Sequence, residues 1–239
     1  MTDILITPTH RRAFLSTAGL GGLSLAAGGT LLAGCQSGYG LGFSLTDAIQ
    51  RLLFLSSERA FSRMLADGGF WDDQVAGIGL GNLLGSRGNV LGNILTSALF
   101  KNRLEGAFAD FAFDAADRAA PLVTDAVRTI GIRNAIDLVN GGPRAATSYL
   151  RGQMGLALVE AMVPELGRAM RVAQDPLVGQ ALAALTGVDV PQVASRVATR
   201  IDDTIWGEMG REEEYIRANP RATNDPAIIG VFETANAVR

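Results

Sequence analysis

From residue 49 to residue 235 the chain repeats one pattern: apolar side chains three or four positions apart, in runs closed by Gly, Asn or Pro. That spacing lines one face of an α-helix and does not suit the strict alternation of a half-buried strand. The clearest stripe is Val193, Val197, Ile201, Ile205 and Met209, within a helix predicted from Pro191 to Ala218 and closed by Asn219-Pro220. On the same helix Glu213 and Arg217 stand four apart, the spacing of a surface ion pair. Ser44 or Thr46 can cap an earlier helix that has Asp47 in its first turn, buries Ile49, Leu52, Leu53, Phe61, Met64 and Leu65, and stops at Asp67-Gly68-Gly69. Further helices are predicted over 93–119 (Leu104, Phe108, Phe111 and Phe113 inward), 121–130 (opened by Pro121), 132–139, 143–173 (kinked at Pro164), 176–185 and 226–235. The expected fold is all-α: a single-domain helical bundle of about seven or eight helices.

One stretch breaks the pattern. Between 70 and 92 six glycines (77, 79, 81, 85, 88 and 92) alternate with Ile78, Leu80, Leu83, Leu84 and Val90. A phosphate-cradling loop needs GxGxxG after a strand, or GxxxxGK[ST], and neither spacing is present. A mobile Gly-rich loop is expected, with room for a short strand over 75–80.

Ahead of the helices stands an export signal. Arg11 and Arg12 precede Phe14-Leu15, and residues 13–34 carry no charge but six glycines, ending at Leu32-Ala33-Gly34-Cys35. A positive start, an apolar middle and small residues before a cleavage point make a signal peptide, and the arginine pair fits its twin-arginine form. Leu-Ala-Gly-Cys is similar to a lipobox, in which the Cys35 sulfur receives diacylglycerol and the peptide is cut before it. A transmembrane helix over the same 22 residues is the competing reading, disfavoured by the glycines. The expected organisation is a signal peptide over 1–34, a flexible tether over 35–42 and a helical domain over 43–239. Gln36 after the cysteine favours the outer membrane.

Composition then removes whole classes of chemistry. The single cysteine, Cys35, and the single histidine, His10, both fall at or before the lipobox. The helical region therefore has neither, which excludes Ser-His-Asp and Cys-His catalysis and zinc or iron–sulfur ligation by cysteine. Lys101 is the only lysine, and the net charge of −3 gives no basic surface for nucleic acid. No cofactor is expected.

Two polar constellations remain. Asp137, Asn140, Thr147, Tyr149 and Arg151 cluster around Asn140-Gly141-Gly142-Pro143, a sharp corner where the following helix can offer free N–H groups to an anion. The alternative is that the corner is helix punctuation, with Tyr149 and Arg151 held by neighbouring backbone carbonyls. Asp110, Asp114 and Asp117 lie at i, i+4 and i+7, so one helix face presents three carboxylates that suit a divalent cation or acid–base work, or else a solvated stripe. Glu212-Glu213-Glu214 points three ways around a helix and cannot converge on one ion; Asp72-Asp73 and Asp202-Asp203 fail alike. Trp71 and Trp206 read as packing anchors.

The passage Ala135-Ile-Asp-Leu-Val-Asn140-Gly141-Gly142-Pro-Arg-Ala-Ala-Thr147-Ser-Tyr149-Leu-Arg151 resembles a bacterial family, domain of unknown function 4197, whose members carry a "DAxxILNGGxxAATxYFR" stretch. Ala115-Ala116-Asp117-Arg118-Ala119-Ala120-Pro121 is similar to its "AAExAAP" turn, and Glu212-Glu213-Glu214-Tyr215-Ile216-Arg217-Ala218-Asn219-Pro220 to its "EEExxIRxNP" ending. The resemblance runs over about residues 44–232. Phe113 departs from a family Asn, and the Gly-rich 77–92 segment from an "RIPLP"-like stretch. The resemblance implies a helical, exported, often lipid-anchored envelope protein without an assigned activity. The expected role is a non-catalytic binding or interaction module, lipid-anchored on the periplasmic side and partnered by the membrane and by an envelope protein or apolar ligand. The alternative is a carboxylate-based, metal-dependent envelope enzyme.

Overall fold

The first helix begins with a reciprocal cap. Ser44 Oγ accepts from the Asp47 N–H at 3.0 Å, and the Asp47 carboxylate accepts from the Ser44 N–H at 3.0 Å, so two N–H groups that helix geometry leaves unpaired find partners. These bonds, with Arg51 one turn on, hold the Asp47 carboxyl below the usual carboxylate range. The computed structural model describes residues 43–79, 98–171 and 190–237. Within them the chain forms eight α-helices and no strand: α1 (Leu45–Met64), α2 (Phe70–Ile78), α3 (Ala98–Thr129), α4 (Ala135–Asn140), α5 (Ala145–Met154), α6 (Ala157–Arg171), α7 (Val190–Ala218) and α8 (Pro226–Ala237), with a 3₁₀ turn at Pro220–Thr223.

The all-α expectation holds, and the stripe read along 193–209 is the reason the bundle closes. Val193, Val197, Ile201, Ile205 and Met209 are all buried, and α7 packs along α6 and α1 while α3 closes on α1 and α2. Ile49, Leu52, Leu53 and Met64 of α1 face this seam with no exposed surface. Trp71 and Trp206 are buried, as packing anchors should be. No helix among the described residues is long and apolar enough to cross a membrane.

Four elements differ from the sequence reading. Residues 70–78 form a helix, not a loop or strand: Trp71 and Val75 bury one face, Asp72 and Asp73 favour its N-terminus, and Gly69 and Gly79, at φ +75° and +76°, bound it. Residues 80–92 of the Gly-rich stretch, and the helix predicted over 176–185, lie outside the described residues. The two helices expected over 93–119 and 121–130 are one, α3, with Pro121 inside it. Pro121 and Asp117, whose carbonyl loses its partner there, are both on the exposed side, while Ala115, Ala116, Ala119 and Val123 keep the buried side continuous. Phe113, predicted inward, is 40% exposed.

The single helix expected over 143–173 is two, α5 and α6, and the break between them falls at Gly155. Gly155 takes φ +56° and ψ −121°, where a side chain is disfavoured, and its N–H closes α5 on the Arg151 carbonyl at 2.9 Å. Pro164 sits inside α6 on an exposed position, as does Glu160, four residues back. The short helix expected over 132–139 is α4, entered through Asn134 at φ +55°.

Candidate functional site

The corner between α4 and α5 is the most recognisable sequence in the chain, and its geometry starts with a glycine. A Cβ on Gly141 would lie 2.7 Å from Ala145 Cβ and 2.9 Å from the Asp137 carbonyl oxygen, so only glycine lets the chain turn this tightly. The turn leaves the first N–H groups of α5 pointing out of the helix end, as the sequence predicts.

They are already occupied. Glu213, from α7, accepts from the Ala146 N–H at 2.9 Å with Oε1 and from the Thr147 N–H at 2.6 Å with Oε2. Arg217, one turn further along α7, donates from Nε to Glu213 Oε1 at 2.8 Å. Its other nitrogens reach back across the corner to the Val139 and Leu138 carbonyls at the end of α4, at 3.1 and 2.9 Å. Below it the guanidinium lies 4.7 Å from the Phe232 ring centroid of α8. A carboxylate thus meets the positive end of α5 while a cation meets the negative end of α4. The pair read as a surface bridge is buried: Glu213 is fully covered and Arg217 is 7% exposed.

Around this clasp the neighbouring glutamates diverge, as their spacing requires. Glu214 takes Arg144 from the α4–α5 turn, at 3.0 Å from Nε and 2.9 Å from Nη2. Glu212 pairs with Arg63 of α1, which also reaches Glu208 at 3.1 Å. Arg144 crosses α7 at Gly210, where an added Cβ would lie 2.9 Å from Arg144 Cδ.

The remaining residues of the polar cluster go to separate places. Tyr149 donates to the Gly131 carbonyl at 2.8 Å, anchoring the loop before α4. Among the described residues Arg151 binds carboxylates, not a backbone carbonyl. Its Nη2 lies 2.8 Å from Asp202 Oδ2 and 2.6 Å from Asp203 Oδ1, so two adjacent carboxylates expected to diverge around the helix converge on one guanidinium. Asp202 also accepts from the Trp206 indole N–H at 2.8 Å. Burial pushes its carboxyl up, against the pull of Trp206 and Arg151. Asp137 and Asn140 are exposed. Thr147 is buried, and its hydroxyl has no hydrogen-bond partner among the described residues.

Asp110, Asp114 and Asp117 are all exposed along α3. Burial, then Asp72 of α2 and Asp114, raise the Asp110 carboxyl. Among the described residues no group of three or more His, Cys, Asp or Glu side chains is placed to hold a metal ion. Cys35, Arg11, Arg12, Phe14 and Leu15 lie outside the described residues.

Sequence reasoning missed the clasp although both halves of it were in view. One signal was available. Glu213 and Arg217 continue the register of Ile205 and Met209, so these charges fall on the buried stripe, where unpaired charges are not tolerated.

Fold and site together define a class: an all-α domain whose most recognisable residues bind each other across the bundle and hold three helices in register. A family model described as "Protein of unknown function (DUF4197)" matches residues 42–233, and the chain belongs to that family. No curated protein and no solved structure matches the chain.

Proposed function

We propose that this chain is a lipid-anchored envelope protein on the periplasmic side, tethered through Cys35, with the outer membrane favoured by Gln36, and that its helical domain is a non-catalytic binding module. The observation that carries the binding role is an open cavity of about 450 Å³ between α1, the end of α3 and the start of α8. Phe54, Leu55, Val127 and Ile228 supply its apolar wall, and Arg51 and Arg128 stand at its edge. An apolar wall with a few placed charges, in a volume of roughly 300–1,000 Å³, is the usual make-up of a small-ligand site. The compartment is supported by the order of Arg11-Arg12, the uncharged stretch and Leu32-Ala33-Gly34-Cys35, since acyl chains on a cysteine give stable anchoring at about 0.8 kcal/mol per buried methylene.

Metabolic labelling with an alkyne palmitate tests the anchor. Wild-type protein should take up label and lose the mass of residues 1–34, and Cys35→Ser should stay unlabelled. An unlabelled, uncleaved wild-type chain contradicts the assignment. Arg11→Lys with Arg12→Lys should block processing if export uses the twin-arginine route.

A further inference from the structure

We infer that the cavity between α1, α3 and α8 takes a single fatty-acyl chain bearing an anionic head group, drawn from the membrane beside which the protein sits. The inference rests on the anchored-module reading above and names its ligand. Three observations carry it.

The wall is aliphatic and aromatic, and part of it is open: Phe54 is 41% exposed although Leu52 and Leu53 beside it on α1 are fully buried. An acyl chain needs such a wall and no hydrogen-bond partners along its length.

The lining carries two guanidinium groups, Arg51 and Arg128, against one carboxylate. Asp225, the acidic residue there, is already engaged: it accepts from Arg51 Nη1 at 2.8 Å and from the Ala227 and Ile228 N–H groups that open α8, at 2.9 and 3.2 Å. Arg128 meets Asp125 at 3.7 Å, beyond hydrogen-bond distance, and its side chain is 65% exposed. A carboxylate or phosphate arriving at the edge therefore finds a guanidinium with donors to offer, and the geometry of a guanidinium suits both anions.

The cavity also lies where the chain enters the domain. The Arg51 guanidinium sits 5.3 Å from the ring centroid of Phe43, and Arg51 lines the cavity. Seven residues, 36–42, separate Phe43 from Cys35. Fully extended, such a length spans no more than about 30 Å. An acylated Cys35 thus keeps this end of the bundle, with its open apolar wall, within reach of the bilayer surface.

The test uses the full lipidated chain in membranes of its own lipids, with a diazirine-bearing fatty acid as the probe and peptide mass spectrometry as the readout. Photolabel should concentrate on the peptides holding Phe54-Leu55 and Val127-Arg128. Phe54→Glu and Arg128→Glu, both at exposed positions where folding is not at risk, should each lower it at least fivefold. Leu156→Glu, at an exposed apolar position outside the cavity, should leave it unchanged. The same probe with a trimethylammonium head should label at least fivefold less. Label spread evenly over the chain, label indifferent to Phe54→Glu and Arg128→Glu, or equal labelling by the cationic probe overturns the inference. So does label found only as a cross-link to the protein's own Cys35 lipid. Palmitate labelling of Cys35 reports separately on the anchor, so loss of one reading is distinguishable from loss of the other.

Discussion

Glu213→Ala is the perturbation that most exposes how the bundle is held. The carboxylate accepts two backbone N–H groups and the Arg217 guanidinium, and it has no exposed surface. Each charge-assisted bond is worth about 1.5–3 kcal/mol, but the three act as a unit and do not add. The larger effect is the stranded partner. Arg217 is 7% exposed, and removing one member of a buried pair costs about 3–5 kcal/mol because the other charge is left uncompensated. A loss of about 4 kcal/mol is therefore expected, a large part of the roughly 5–15 kcal/mol that domains have. In urea, with a slope of about 2 kcal/mol per molar, the midpoint should fall by about 2 M. Glu214→Ala is the matched control: the Arg144–Glu214 pair is half exposed on both sides, and its loss should stay below about 1 kcal/mol. In Glu213→Ala with Arg217→Ala no charge is stranded, so the double variant should lose at least about 1.5 kcal/mol less than the sum of the singles. A Glu213→Ala midpoint within about 0.5 M of Glu214→Ala, or strictly additive losses, would refute the clasp.

Three further outcomes follow from the geometry. Gly141→Ala should destabilise by about 1–3 kcal/mol, because its Cβ meets Ala145 Cβ and the backbone at Asp137; Gly142→Ala, with nothing within 4 Å, should change thermal stability far less, and equal shifts would contradict the tight corner. Stability should fall in acid as Asp225 protonates: burial works against its charge, but Arg51 and the α8 N–H groups hold its carboxyl below the usual range. A depressed carboxyl stabilises above its unfolded pKa, about 3.9, and that contribution is lost as pH falls through the folded value. Asp202, raised by burial, acts in the opposite sense, so side-chain NMR titration should place Asp225 below and Asp202 above free aspartate. Chelation with EDTA should leave the melting temperature unchanged, whereas a large drop would restore the carboxylates of α3 as a metal site.

The all-α class, the α7 stripe and the Ser44–Asp47 cap were legible because each depends on neighbours within one or two turns. Pro121 reads as the opening of a new helix, but it sits on an exposed position while the buried face runs on past it, and tertiary packing keeps α3 continuous. Gly155 breaks the chain instead through a positive φ that composition does not reveal. At the corner, the sequence announced an anion site at the start of α5 without disclosing that the anion comes from 66 residues further on. Long-range pairing of that kind is invisible to spacing rules, except through the clue of charged residues set on an apolar register.

The amides of Ala146 and Thr147 give the most direct test, because they separate an internal clasp from an open anion site. In ¹⁵N spectra of the full chain these two resonances should be protected from hydrogen exchange to the level of the core and should not move as phosphate is added. Fast exchange at both, with saturable phosphate-dependent shifts, would mean that Glu213 does not hold them and that the corner is a binding site open to solvent.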